Sequence, residues 1–191
     1  MNFSEDMGIL HSLSLKKIMF YGEKVCLRAY RQEDIEIATS LVNDKELKKF
    51  LAPGIPFPMS PWEEESWVKS QNGNQNGEYN FAIEDIETKK YIGGCGIHNV
   101  NWLTRVAVVG IMIGDKEYWG KGYGTDAMKV LMKFIFEDMN INKIRLSHFS
   151  FNQRAKRCYE KCGFHVEGIL KDEIFKEGKY YDEIIMSAFR K

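Results

Sequence analysis

Long hydrophobic runs are missing from this chain. No stretch of about 18 or more apolar residues occurs, so no membrane-spanning helix is expected. Residues 1–17 mix acidic, polar and apolar types without a basic stretch leading into an apolar run, so they do not read as a secretion signal. Excess charge of either sign is missing too: Lys and Arg total 27, and Asp and Glu total 27. That balance argues against a bulk electrostatic grip on nucleic acid or on an anionic membrane, and neither is expected as a partner. Cysteine is sparse, with Cys26, Cys95, Cys158 and Cys162 and no C-x-x-C pair, which excludes a disulfide framework. Cys158 and Cys162 lie four apart with His165 close behind, but a metal site there lacks a further ligand. They are read as packed thiols, no metal is expected, and the protein is expected to be reduced and cytoplasmic. Proline occurs only at positions 53, 56, 58 and 61, which makes residues 50–61 a loop and leaves the rest of the chain free to form regular elements.

What is present suits one domain. The chain has 191 residues, 44% of them hydrophobic, enough for a real core and short for two domains. Residues 1–22 are read as an N-terminal extension and residues 23–191 as the domain. Period-two alternation predicts a strand over residues 24–30. Asp34 is the expected N-cap of a helix carrying Ile35, Ala38, Leu41 and Val42 on one face. Ser60-Pro61 opens a second helix, with Glu63, Glu64 and Glu65 in the first turn where the helix dipole favours them. Residues 71–77 (QNGNQNG) form a polar turn, and a hairpin follows over residues 79–98. Residues 105–113 (RVAVVGIMI) are almost continuously apolar, as in a strand covered on both faces. After Gly124, the stripe Ala127, Val130, Leu131, Phe134 and Ile135 marks a strong amphipathic helix. A strand over residues 143–149, a helix over 153–162 and two strands over 165–175 and 181–189 complete the chain. The order β α α β β β α β α β β describes a mixed α/β (α+β) domain of about seven mostly antiparallel strands and about four helices.

Two segments carry chemistry. Trp119-Gly-Lys-Gly-Tyr-Gly124 joins a buried strand to the strongest helix, and its glycines free the backbone to bend inward. The helix that follows turns its unpaired N–H groups and positive dipole end back at this loop, so a pyrophosphate can be held there by backbone alone. The string matches neither G-x-x-x-x-G-K-[ST] nor G-x-G-x-x-G, which sets aside the commonest nucleotide loops. Downstream, Asn152 can cap a helix whose one face carries Ala155, Cys158, Tyr159 and Cys162, with Gly163 ending it in a left-handed conformation and Phe164 returning to the core.

In combination these segments resemble the GNAT superfamily of N-acetyltransferases, over nearly the whole chain from about residue 24 to 189. Residues 111–124 are similar to the acetyl-CoA motif [QR]-x-x-G-x-[GA], with Gly122 and Gly124 in place and Trp119 where Gln or Arg is usual. That departure is similar to the ribosomal-protein alanine and spermidine acetyltransferase subgroup, as are Leu27-Arg-x-Tyr-x-x-Glu-Asp34 and Glu177-Gly-Lys-Tyr-Tyr-Asp182. Asn152, Ala155, Tyr159, Gly163 and Phe164 match the second motif.

The resemblance implies a GNAT-like fold whose central sheet splays to admit acetyl-coenzyme A as co-substrate. It implies that Gly120, Lys121, Gly122, Tyr123, Gly124 and Thr125 cradle the pyrophosphate through their backbone, beside Trp119. Ile111, Met112 and Ile113 would pair with the pantetheine arm, Asn152 and Ala155 would contact the cofactor, and Tyr159 would stand at the thioester sulfur as the acid. The family's frequent Glu, five residues before the motif Asn, is replaced by Ser147. That leaves Glu117, His148, His98, Glu84 or a water chain as the base. An α-amine of pKa about 7.8 is about a tenth neutral at pH 7, roughly 300-fold more than a lysine-like amine. A missing base therefore favours a peptide N-terminal α-amine as acceptor, with a polyamine or small amine as the alternative. Phe57, Trp62 and Trp67 are expected on one acceptor wall and Tyr180, Tyr181 and Asp182 on the other. Homodimers are common in this family, so the resemblance admits one here.

Overall fold

A computed structural model describes residues 19–51, 57–71 and 78–191. The segment 1–18, two of the four prolines and the polar turn at 72–77 lie outside the described residues. Among the described residues, eight strands form one sheet in the order β1-β2-β3-β4-β5-β6-β8-β7. They are β1 (Phe20–Tyr21), β2 (Val25–Arg28), β3 (Tyr79–Asp85), β4 (Tyr91–Asn101), β5 (Val106–Ile113), β6 (Lys143–Phe149), β7 (His165–Lys176) and β8 (Lys179–Phe189). Among the described residues, five α-helices accompany it: α1 (Asp34–Val42), α2 (Lys45–Leu51), α3 (Pro61–Gln71), α4 (Tyr123–Lys133) and α5 (Gln153–Lys161).

The sequence-based order is recovered with two additions. Phe20 and Tyr21, at the end of the segment read as an extension, pair with Leu27 and Cys26 as an edge strand. Helix α2 follows α1 after a break at Asn43, and Asp44 caps it by accepting from the Leu47 amide at 2.8 Å. One helix start is also corrected. Asp34 does not cap α1; Glu33 occupies that position without a side-chain bond. Asp34 is buried instead, and both its carboxylate oxygens accept from the Arg28 guanidinium, at 2.7 and 2.8 Å. Glu84 accepts from the same guanidinium at 2.5 Å. A buried guanidinium must be paired, so this bracket, more than a cap, fixes how the chain leaves β2.

The sheet separates two cores. On one face, Val25, Leu27, Ile83, Ile92 and Ile97 pack against Ala127, Met128 and Leu131 of α4, with Tyr159 and Phe164 in the same cluster. On the other, Ala82 and Tyr91 meet Tyr30, Ala38 of α1 and Val68 of α3. Neighbouring residues along a strand alternate between these faces, as the pleat requires: Ala82 and Ile83 divide, as do Tyr91 and Ile92.

One irregularity creates the site. Strands β5 and β6 are the parallel pair, joined through α4 by a crossover. They pair only at Val106–Lys143, Ala107–Ile144 and Val108–Arg145. Beyond Val108, β5 stays with β4 as far as Ile113, while β6 follows β8 as far as Phe149. The sheet therefore opens into a notch at the carboxyl ends of its two parallel strands, where α/β sheets place ligands.

Candidate active site

A cavity of about 690 Å3 occupies this notch. Ile111, Met112 and Ile113 line it from β5, and Trp119, Gly120, Gly122, Gly124 and Thr125 from the loop and the start of α4. Asn152, Ala155 and Tyr159 complete it from α5. Eleven of the thirteen residues expected at the site thus share one space. Lys121 and Tyr123 do not line it. The Lys121 side chain is exposed, and the Tyr123 ring turns out to meet Tyr118 edge-on at 4.7 Å.

The loop's backbone explains this arrangement. Gly120 and Gly122 have φ of 74° and 92°, in the left-handed region where a side chain is strained. Two such kinks turn a run of amides to one side. The first α4 hydrogen bond runs from the Asp126 amide to the Gly122 carbonyl, at 2.9 Å. Among the described residues, the six amides from 120 to 125 donate to no acceptor. Six N–H groups at a helix N-terminus are a ready anion cradle. Lys24 adds a cation the sequence did not point to: its Cε lies 3.8 Å from where a Gly122 Cβ would stand, and its ammonium sits over the Tyr123 ring. Arg154, Arg157 and Lys161 of α5 also line the cavity.

Asp126 holds the cradle in place. Its carboxylate accepts from the amides of Glu23, Lys24 and Val25 at 3.1, 2.7 and 3.0 Å, tying the β1–β2 turn to the first turn of α4. Asp126→Ala should lower unfolding free energy by about 2 kcal/mol, since charge-assisted bonds are lost but the partly exposed amides regain water. Urea denaturation of the two proteins measures it.

Trp119 stands where the sequence departs from the usual motif, and it has two structural tasks. Its indole N–H donates to the Ile113 carbonyl at 2.6 Å, pinning the end of β5. Its ring carries the Arg154 guanidinium 3.3 Å from the centroid, a stacked cation–π contact. Asn152 caps α5 as expected, its Oδ1 accepting from the Ala155 amide at 3.1 Å. Gly163 has φ of 87°, and the Phe164 amide returns to the Tyr159 carbonyl, which closes α5 as the sequence implies.

Tyr159 is 6% exposed, and burial raises its pKa well above the ordinary phenol value. A phenol in this setting is a proton donor at neutral pH. Its ring lies 6.0 Å from that of His148. His148 also lines the cavity; its Nδ1 is 2.9 Å from the Phe149 carbonyl, and burial lowers its pKa. The ring is therefore neutral at pH 7, with Nδ1 carrying the proton and Nε2 left as a buried acceptor without a partner among the described residues.

The other candidate bases separate. His98 lines the cavity and is exposed. Glu117 and Glu84 do not line it, and Glu84 is held by Arg28 and Arg31. On the acceptor side, Trp67 lines the cavity, whereas Phe57 and Trp62 are 74% and 76% exposed and stand outside it. Tyr180, Tyr181 and Asp182 are likewise outside; Asp182 pairs with Lys171 at 2.7 Å. Glu183 is a lining acid that the sequence did not point to, and Glu64, one of the three first-turn acids of α3, lines the cavity as a buried and not a solvated side chain.

Comparison with known proteins agrees with this geometry. Residues 24–165 match the family model described as an acetyltransferase (GNAT) domain. An uncharacterized N-acetyltransferase, YokL, from an SPbeta prophage of Bacillus subtilis is 31% identical over 170 residues, covering 88% of this chain and 92% of that protein. The spermidine N(1)-acetyltransferase of Escherichia coli K12 is 30% identical over 169 residues, 88% of each chain. The crystal structure of Vibrio cholerae spermidine N-acetyltransferase with CoA and spermine superposes with a TM-score of 0.76 at 28% identity, covering 87% of this chain and 95% of that one.

Proposed function

The chain belongs to the GNAT acetyltransferase family, and from that premise we propose that it moves an acetyl group from acetyl-coenzyme A to a primary amine of a small polycation of the polyamine class. The amides of residues 120–125 take the diphosphate, β5 beyond Val108 takes the pantetheine arm, and the thioester lies in the notch. A neutral amine attacks the thioester carbonyl, the C–S bond breaks, and Tyr159 donates its proton to the leaving thiolate. Alignment of the two reactants supplies much of the rate, and an N–H of β5 polarises the carbonyl.

One observation carries the choice of acceptor: Glu64 is 2% exposed yet lines the cavity. Its neighbours are engaged elsewhere, Glu63 with the Ser60 amide and hydroxyl and Glu65 with Lys69. The Glu64 carboxylate has no hydrogen bond or ion pair with a described residue, and burial raises its pKa. Tyr30, Trp67 and Tyr91 also line the cavity, and the Tyr30 ring lies 5.4 Å from that of Trp67 and 6.1 Å from that of Tyr91. A lone buried carboxylate among aromatic faces is costly by itself and is suited to an ammonium group of a ligand. The spermidine acetyltransferases among the relatives support the same class. A neutral peptide with a free N-terminus brings no second cation for this position.

Purified protein should acetylate spermidine or spermine with a higher kcat/KM than a neutral peptide bearing a free N-terminus. The reverse order removes the polyamine reading. Glu64→Gln should raise KM for spermidine about tenfold and leave that for a monoamine within twofold, since one charge-assisted contact is lost only with the former.

A further inference from the structure

The position where the family often carries a catalytic Glu holds Ser147, five residues before Asn152. Its Oγ donates to Glu183 Oε1 at 2.5 Å, and both residues line the cavity. Ser147 lies on β6 and Glu183 on the adjacent β8, where Phe149 faces Glu183 and Ser147 faces Ile185 in register. We propose that Glu183 is the base of the reaction, a carboxylate supplied by the neighbouring strand and aimed into the notch by the Ser147 hydroxyl.

Strand alternation assigns the faces. Ile144 and Leu146 belong to the core beneath α4 and α5, so His148 points to that face, beside Tyr159. Ser147 points to the opposite face, the one covered by α1–α3, where Glu64 and Trp67 stand. Ile184 packs into the α4–α5 core, which sends its neighbour Glu183 to the α1–α3 face as well. The proton donor and the carboxylate thus reach the notch from opposite faces of the sheet, so that one can serve the leaving sulfur and the other the attacking amine. His148 lies on the donor's side, with Nδ1 committed to the Phe149 carbonyl and Nε2 buried. His98 reaches the cavity from β4 and is the rival that the experiment must separate.

In the step itself, the acceptor ammonium gives one proton to Glu183 and becomes a neutral amine. The nitrogen lone pair attacks the thioester carbon, a C–N bond forms, and the C–S pair leaves with sulfur. The thiolate takes a proton from Tyr159, the new amide nitrogen loses its second proton, which by way of solvent restores the Tyr159 phenol, and Glu183 gives the first proton up to solvent. The products are the N-acetylated amine, coenzyme A thiol and one proton released to solvent. Ser147 touches none of the reacting atoms and is a positioning residue.

The proposal rests on acetyl transfer to an amine and not on which amine is used. Glu183→Gln, nearly isosteric, should lower kcat about 100-fold at pH 7, within the range for loss of a general base, with the acetyl-CoA Kd unchanged. The deficit should shrink as pH rises, because solvent then deprotonates the amine. Ser147→Ala should give a smaller loss with the same pH trend. Glu183→Gln combined with Ser147→Glu, which moves the carboxylate onto β6, should recover at least tenfold of it, and His98→Asn should stay within threefold of wild type. A Glu183→Gln enzyme within threefold of wild type, a deficit independent of pH, or a large loss confined to His98→Asn would each overturn the assignment. A wild-type protein that binds acetyl-CoA but acetylates no amine would instead count against the acetyl-transfer reading beneath it.

Discussion

Gly122→Glu should abolish measurable acetyl-coenzyme A binding while leaving the protein folded. Gly122 sits at φ 92°, so any side chain there carries left-handed strain of about 1–2 kcal/mol. Space is not the obstacle: the nearest atom to an added Cβ is Lys24 Cε at 3.8 Å. The charge is. A carboxylate at the N-cap of α4 competes for the same six amides as the diphosphate and repels it. We expect a rise in Kd of at least about 10³-fold, or about 4 kcal/mol. Gly122→Ala separates the causes, since it keeps the strain and omits the charge; its Kd should rise no more than about tenfold. Calorimetric titration of the three proteins, with circular dichroism to establish folding, measures both effects. Equal losses in the two variants would place the effect in the backbone and not in anion recognition.

Tyr159→Phe should lower kcat about 10³-fold with the acetyl-CoA Kd unchanged within about threefold. The ring is part of the core, 5.9 Å from the Phe164 ring, and Phe preserves that packing. Only the hydroxyl is lost, and it bonds to no described residue, so stability should be unchanged or slightly higher. The proton it supplies matters most when the departing thiolate is most basic. An acetyl donor with a more acidic leaving thiol should therefore narrow the gap between variant and wild type. A uniform loss with both donors would assign Tyr159 to packing.

The motifs were legible because each is a local backbone requirement written in residue type. Glycines at 120, 122 and 163 stand at positive φ, and Asn152 caps the helix that it precedes. The long elements were legible from period, above all α4, whose stripe through Ala127 and Leu131 packs on the sheet. Helix α2 was not, because seven residues (KELKKFL) give too short a periodic signal, although Asp44 is a readable cap. Asp34 looked like a cap and became an ion-pair partner, since Arg28 lies near in space and a buried guanidinium takes precedence.

The acceptor wall was the least readable part. Trp62 drew attention by size and proved exposed, while Glu64 looked like a solvated first-turn acid and proved buried. Its spacing from buried Val68 is the i,i+4 signal that marks it. The Ser147–Glu183 bond spans 36 residues and depends on β6 and β8 being neighbours, which no local pattern encodes. The departure at Ser147 was visible; its compensation exists only in the sheet order. The notch is likewise a matter of register, where β5 and β6 stop pairing after three residues.

Amide NMR during titration with coenzyme A tests the central claim most directly. The 1H–15N resonances of residues 120–125 should shift most, by hydrogen bonding to the diphosphate, and should saturate at one ligand per chain. Saturable binding that leaves those six amides where they were, or no binding by the folded protein, would contradict the account.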